Sequence, residues 1–358
     1  MEPCGGSIIR VPAMSDVLPS AKPPARVLRQ VGLRYVTVDE LTIRRRRRGA
    51  GFVYVNGSNR PLRDQHLLYR LKRLAVPPAY EDVLYAADPH AHLQAIGRDA
   101  AGRAQYRYHP DWEKVRELRK ARRLARLAEA LPKIRSWVSR HLGDRTPSRE
   151  RAIAAVIDLV ALTALRPGSE TYARQHGTRG AVTLLKSNVR IGRDRVSLRF
   201  TGKGGKSIEK EVHSARLSLA LRRLTALPGS RLFQYRNQDG AVLALRRREV
   251  NAALRDIADR KVSLKDFRTL IACACALEQL AGIEPKASER GRRRQLLATM
   301  RAVAADLANT PAVCRKSYVH AAVVSAFESG ALQRVARGKP SAAGRERLLI
   351  KVLAGVTS

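Results

Sequence analysis

The sequence predicts an α+β protein, with a small β-rich N-terminal domain followed by a larger, mostly α-helical domain that carries a three-stranded sheet. Three observations carry that reading. Between Phe52 and Tyr108, short strand-like runs are separated by turn signals such as Asn56-Gly57 and Asp88-Pro89. From Glu113 onward, long segments repeat apolar residues at helical spacing. Within that helical part, Val189–Ile191, Arg195–Thr201 and the run through Ile208, Lys210 and Val212 alternate as strands, joined by Gly192-Arg193-Asp194 and Gly202-Lys203-Gly204-Gly205. A chain of 358 residues is long enough for two separate cores.

Residues 1–28 hold Gly, Ser, Pro and scattered charge without periodicity and read as a disordered leader, with order starting near Leu33-Arg34-Tyr35-Val36. A β-rich domain over 29–112 follows. It opens with the five arginines Arg44 to Arg48, which read as a mobile basic loop. Phe52 to Val55 is a strand, Leu67 to Leu74 a short amphipathic helix stopped by Pro77-Pro78, and 82–86, 92–96 and 105–108 are further strands. In the last of these, alternation puts Tyr106 and Tyr108 on one face and Arg107 on the other. The helical domain covers 113–335. Its expected helices are 113–130 and 132–142, separated by Pro132, then the apolar core helix 149–165, and 216–227, 247–259, 264–281 and 295–308. Residues 284–294 read as a basic loop and 336–358 as a basic tail.

The net charge of +38 and the pI near 11.3 set the class of partner. So large a surplus repels itself unless a polyanion neutralises it, and nucleic acid is the commonest such partner. No run approaches a transmembrane span and no signal-peptide core opens the chain, so a membrane partner is not expected and a cytoplasmic, nucleoid-associated protein is. Cys4, Cys273, Cys275 and Cys314 include no CxxC pair, and His90 and His92 lack a third ligand, so no metal is expected. Gly205-Lys206-Ser207 imitates the end of a phosphate-binding loop. That motif needs a Gly where Phe200 stands, and no strand-to-helix context follows.

The chemistry concentrates near the C-terminal end. Asn309-Thr310-Pro311 marks a helix start, and good helix formers run on from Ala312 through Phe327. Tyr318 lies in that stretch beside Arg315 and Lys316, whose charges favour a phenolate. Arg166 stands at the end of the buried helix, before Pro167. Lys203 sits on a glycine-flanked hairpin tip, and Arg268 in the first turn of its helix. Tyr318, Arg166, Lys203, Arg268 and Asn309 together supply one nucleophile, one acid and several donors for a phosphate, the needs of phosphoryl transfer to a side chain.

From about Gly32 to Gly330 the chain resembles the bacterial, poxvirus-like type IB DNA topoisomerases. The resemblance rests on Ile43-Arg44-Arg45-Arg46-Arg47 with Gly51-Phe52-Val53-Tyr54, on Ala75-Val76-Pro77-Pro78-Ala79-Tyr80, and on Gln94-Ala95-Ile96-Gly97-Arg98-Asp99 running to Gln105-Tyr106-Arg107-Tyr108-His109-Pro110. Thr201-Gly202-Lys203, Lys265-Asp266-Phe267-Arg268-Thr269 and the stretch from Asn309 to His320 complete it. It implies that Tyr318 cleaves one DNA strand and becomes a 3′-phosphotyrosine. Arg166 and Arg268 would hold the non-bridging oxygens, Lys203 would protonate the departing 5′-oxygen, and Asn309 would donate a hydrogen bond where many relatives carry His. The cut strand rotates and is resealed, relaxing positive and negative supercoils without ATP, metal or small-molecule cofactor. The resemblance also implies a monomer that closes on double-stranded DNA as a C-shaped clamp. The residues expected to touch DNA are Arg44, Arg45, Arg46, Arg47, Lys72, Arg73, Arg98, Tyr106, Arg107, Tyr108, Lys206 and Lys265. The chain departs from the family at Pro167, at Leu270-Ile271-Ala272 and at Ala321.

Two alternatives share parts of this pattern. Tyrosine recombinases use the same nucleophile, but usually carry His three residues before the second Arg, where Lys265 stands here, and have a helical N-terminal domain. A non-catalytic architectural protein would bind DNA by charge alone.

Overall fold

The computed structural model describes residues 23–336 and 342–357. The expected leader, as far as residue 22, and most of the link into the tail lie outside the described residues. Two compact units divide between Glu117 and Leu118.

The N-terminal unit begins with α1 (Ala25–Gln30), whose Val27 and Leu28 are buried, so the end of the expected leader is a packed helix. Its sheet consists of β1 (Ile43–Arg48), β2 (Gly51–Val55), β3 (Glu81–Tyr85), β4 (Leu93–Arg98) and β5 (Ala104–Tyr108), with α2 (Gln65–Arg73) inserted between β2 and β3. The order is β2-β1-β3-β4-β5 and every pairing is antiparallel. Both faces are covered. Ile43, Val83, Tyr85 and Ala95 pack with Leu71 of α2, while Leu93 and Ile96 pack with Val36, Val38 and Leu41. Asp64 caps α2 by accepting hydrogen bonds from the His66 and Leu67 amides.

The arginine run corrects the sequence reading. It is a paired strand, Arg44 opposite Val55 and Arg46 opposite Val53, and not a mobile loop. The strand holds because Ile43 is buried, because its backbone is hydrogen-bonded on both sides, and because Arg45 has partners of its own. The Arg45 guanidinium donates to the carbonyls of Val76, Pro77 and Tyr80 and lies 4.2 Å above the Phe52 ring.

The second unit has one large core. Helix α3 (Trp112–Leu142) runs unbroken through Pro132, where two helices were expected. Proline removes one backbone hydrogen bond, but the buried Leu127, Ala128, Leu131 and Ile134 hold the turns on either side to the core. The next element, α4 (Arg149–Thr163), is capped by Ser148 and ends at Ala164 in the left-handed conformation, φ 54°. Then come α5 (Glu170–His176), the sheet β6 (Val189–Ile191), β7 (Arg195–Thr201) and β8 (Ser207–His213), and α6 (Ala215–Thr225). The sheet is antiparallel in sequence order and buries Val196, Leu198, Phe200 and Ile208, as its alternation predicts. A hairpin of β9 (Gln234–Arg236) and β10 (Val242–Ala244) precedes α7 (Arg247–Ala258) and α8 (Leu264–Ala281).

Helix α9 (Glu289–Asp306) starts earlier than expected, because Ser288 caps it within the supposed basic loop. The helix expected from Ala312 to Phe327 is interrupted. It consists of α10 (Pro311–Val313), a π turn over Cys314–Tyr318, two extended residues, and α11 (Ala321–Glu328). After α12 (Ala331–Ala336), the tail forms α13 (Ala342–Thr357), whose Leu348, Leu349 and Leu353 join the core.

Candidate active site

Three stretches of the second unit bring the predicted residues together. The first is the turn after α4. The Arg166 carbonyl accepts from the Ala181 amide and that of Pro167 from the Val182 amide, at 2.8 and 2.9 Å, so this turn is pinned against residues 180–183. The contact is backbone on backbone: a Cβ at Gly180 would stand 2.5 Å from both the Arg166 carbonyl oxygen and the Gly168 nitrogen. Arg166 therefore projects from a held loop.

The second is the N-terminal end of α8. Asp266 accepts from the Ser263 backbone amide and from Arg123, at 2.9 and 3.0 Å, which fixes the first turn. Arg268, one turn further on, is 3% exposed. It donates to the carbonyls of Ala164 and Leu307 and so joins the end of α4 to the end of α9. Both flanking turns use left-handed alanines, Ala164 with φ 54° and Ala308 with φ 48°, a conformation that costs energy away from glycine.

The third is the stretch from Asn309 to His320. Thr310 caps the short helix by accepting from the Val313 amide, and Pro311 occupies its first position. In the π turn, the Val319 amide reaches back to the Cys314 carbonyl at 3.0 Å. The break after Tyr318 is then clasped. The Cys273 thiol on α8 donates to the Tyr318 carbonyl at 3.1 Å, and the His320 amide donates to the Cys273 sulfur at 3.3 Å.

The result is a half-buried Tyr318 ring with the Arg268 guanidinium 5.0 Å from its centroid. Burial opposes ionisation of the phenol, but the positive charges of Arg268, Arg166 and Lys265 outweigh it, and the pKa lies below that of an ordinary tyrosine. Arg166 Nη2 donates to Asn309 Oδ1 at 2.6 Å. The buried Asn309 Nδ2 and Arg268 Nε have no hydrogen-bond partner. Buried orphan donors are uncommon because each forfeits its hydration, so one against Tyr318 and one on the partner of Arg166 make a ready seat for an anion. Lys203 lines one cleft with Arg166 and Arg268. It is exposed on the β7–β8 tip, where Gly204 and Gly205 both have positive φ, and Lys206 reaches the Ala308 carbonyl at 3.4 Å.

The other residues expected to touch DNA fall into two groups. Arg44, Arg46, Arg47, Lys72, Arg73 and Lys265 are exposed. Arg45 is committed to carbonyls, Arg107 donates to the Ala75 carbonyl, and Arg98 donates to the Gly102 carbonyl and lies 3.6 Å from Asp82. Tyr106 and Tyr108 share a face and stack with centroids 6.0 Å apart. His92 is a core histidine, stacked on Tyr35 and accepting from the Val36 amide, with burial holding its pKa down to about 4. Among the described residues no group of three or more His, Cys, Asp or Glu is placed to hold a metal ion. Sequence reasoning missed the Cys273 clasp and the Gly180 contact. Neither carries a local signal, since each partner lies far away in the chain.

A tyrosine against the Arg268 guanidinium, with an unpaired donor on Arg268 and another on the Asn309 that Arg166 holds, defines a protein that can seat a phosphate against a nucleophile. The comparisons identify which. Residues 109–337 match the family described as eukaryotic DNA topoisomerase I, catalytic core, and residues 51–99 match the bacterial DNA topoisomerase IB N-terminal domain. The chain belongs to the type IB DNA topoisomerase family, a family of isomerases. It is similar to DNA topoisomerase 1B of Acanthamoeba polyphaga mimivirus, 29% identical over 77% of this chain and 84% of that one. It is also similar to DNA topoisomerase I of Monkeypox virus and DNA topoisomerase 1B of Vaccinia virus (strain Copenhagen), each 23% identical over 72% of this chain and 82% of theirs. Among solved structures, a XerH site-specific recombinase bound to palindromic difH substrate aligns with a TM-score of 0.35 and 13% identity, over 58% of this chain and 51% of that one. A likeness that slight does not bear on function.

Proposed function

We propose that this type IB topoisomerase relaxes duplex DNA, positively or negatively supercoiled, through a 3′-phosphotyrosyl intermediate formed on Tyr318. The observation that carries the reading is a tyrosine whose ionisation is favoured, set against the buried Arg268 with its orphan Nε, while the orphan Asn309 Nδ2 is held by Arg166. In the forward step the Tyr318 oxygen bonds to phosphorus while the bond from phosphorus to the 5′-oxygen breaks. Arg166, Arg268 and Asn309 offset the charge that builds on the non-bridging oxygens. Lys203 gives its proton to the leaving 5′-oxygen, and the glycines beside it let the hairpin tip close when DNA is bound. The free end rotates, and the 5′-hydroxyl then attacks the phosphotyrosine and restores the phosphodiester. The number and kind of bonds are the same before and after, so the cycle needs no ATP.

Burial of Arg268 lowers its pKa somewhat, but an arginine stays charged at any pH the protein meets, so it is a fixed electrophile. Lys265, whose charge reaches Tyr318, would pair with DNA phosphates together with Lys206 and the exposed arginines of β1. The protein would act as a monomer on nucleoid DNA in the cytoplasm.

The test is relaxation of supercoiled plasmid in EDTA without ATP, with wild type beside Tyr318→Phe. Relaxation lost in the variant, with retained DNA binding and wild-type protein trapped on the 3′-end, supports the mechanism. Relaxation by Tyr318→Phe at the wild-type rate would sink it. Covalent trapping at specific sites without relaxation would point to recombinase chemistry instead.

A further inference from the structure

Away from the nucleophile, α4 contains one residue that does not suit a core helix. After Arg151, Asp158 is the only ionisable side chain in α4, and among the described residues it has no hydrogen bond or ion pair. Its carboxylate lines a cleft of about 320 Å³ in the second unit. Small-molecule pockets run from about 300 to 1,000 Å³, so the space suits a ligand of roughly one ring. The walls are apolar: Leu131 and Ile134 from α3, and Phe267, Leu270 and Ile271 from α8.

The charges at the rim are already committed. Arg135 of α3 pairs with Glu346 of α13 at 3.0 Å, and Arg216 of α6 donates to Ser139 Oγ at 2.6 Å. The lining residues from α8 are uncharged. Neither guanidinium is bonded to Asp158, and burial pushes its carboxyl up to about 6. At neutral pH an ionised carboxylate faces apolar walls without a bonded counter-ion, a costly arrangement in a protein that otherwise has cations to spare. What Asp158 lacks is a cation bonded to it, and the walls beside it suit an apolar body.

We propose that this cleft binds an organic ammonium, its ring or short alkyl body against Phe267 and Leu270 and its protonated amine on Asp158. The site is separate from the Tyr318 cleft, and the proposal does not depend on the roles assigned there. Phosphates and nucleotides are the wrong charge for it, and a polyamine lacks the apolar body its walls select.

The experiment is calorimetric titration of the full chain with phenethylammonium chloride at pH 8, beside the uncharged isostere 2-phenylethanol. The expected result is saturable binding of the amine at one site. Asp158→Asn should weaken the amine about ten-fold, the usual scale for losing a partly desolvated ion pair, and leave the alcohol unchanged. Lowering the pH to 5 should weaken the amine in wild type but not in Asp158→Asn, since Asp158 is then mostly protonated. Ala161→Trp, at the exposed rim, should block both probes. Unchanged circular dichroism, with melting no lower than that of wild type, keeps either variant interpretable. No saturable binding by wild type, or an amine affinity indifferent to Asp158→Asn, would overturn the proposal.

Discussion

Gly180→Ala isolates the contribution of loop position to the chemistry. Gly180 has an extended backbone, φ −151°, that alanine adopts freely, so any effect is steric rather than conformational. The added Cβ would lie 2.5 Å from the Arg166 carbonyl oxygen, 2.5 Å from the Gly168 nitrogen and 2.6 Å from the Gly168 Cα. Ordinary contacts start near 3.5 Å, so the turn must retreat by about 1 Å. All three clashing atoms are backbone, and no rotamer change relieves them. Gly168 cannot yield easily, since its own φ of 92° belongs to glycine and Thr183 stands against it. Overpacking of this kind costs about 1–3 kcal/mol of stability. For catalysis, displacing a transition-state donor by about 1 Å costs on the order of 10²-fold. The assay is single-turnover cleavage of a duplex followed by covalent trapping, with DNA affinity measured in parallel. The expected outcome is cleavage slowed about 10²-fold with affinity within a factor of about two, since Arg166 is one of many cations. Cleavage within about three-fold of wild type, with the fold intact, would refute the claim that the 180–183 backbone sets the position of Arg166.

Further outcomes follow from charge and burial. Because neighbouring cations favour the Tyr318 phenolate, cleavage should rise with pH and level off below the ordinary tyrosine pKa; in Arg268→Gln the rising limb should move to higher pH, and an unmoved limb would count against that coupling. His92 has a folded pKa of about 4 against 6.5 unfolded, so the unfolded chain binds the extra proton first. Stability of the N-terminal unit should fall by about 3 kcal/mol as pH drops from 7 to below 4, and His92→Phe should flatten that slope in urea melts. Asp158 has the opposite sign. Its folded pKa is raised to about 6, so the cost appears above pH 3.8 and is complete above 6. Asp158→Asn should therefore stabilise by up to about 3 kcal/mol at pH 8 and by nothing at pH 3.5. DNA affinity should fall about 10³-fold or more between 50 and 200 mM salt; a flat response would contradict the role given to the charge.

The residues of the candidate site were readable from the sequence, while the means of holding them was not. Helix α8 was delimited correctly, because Ser263, Asp266 and the apolar run after them are local signals. The β6–β8 sheet followed from alternation and glycine turns in the same way. The arginine run carries no local strand signal, since five like charges in a row outweigh it and its backbone is satisfied by β2, with only Arg44 also paired to β3. Pro132 predicts a break because the burial of its neighbours, which holds α3 together, cannot be seen from proline alone. The interruption at Tyr318 was hidden by residues that all favour helix; it is set by a thiol on α8, 45 residues earlier. That displacement matters chemically, since a tyrosine inside a continuous helix would lack the turn that Cys273 and His320 hold.

Arg268 binds the carbonyls of Ala164 and Leu307, two points of the backbone far apart in sequence, and lies against a tyrosine further on still. The arrangement therefore cannot exist on an N-terminal fragment that ends before Tyr318. A chain emerging from the ribosome carries almost its whole positive charge, and can cling to DNA, well before residues 307–320 arrive to complete the cutting site. On the proposed mechanism, synthesis order would act as a safeguard, since an unfinished molecule that binds DNA would lack the residues that cut it. A chain truncated before Leu307 should be a tight, inert competitor for the intact protein on DNA.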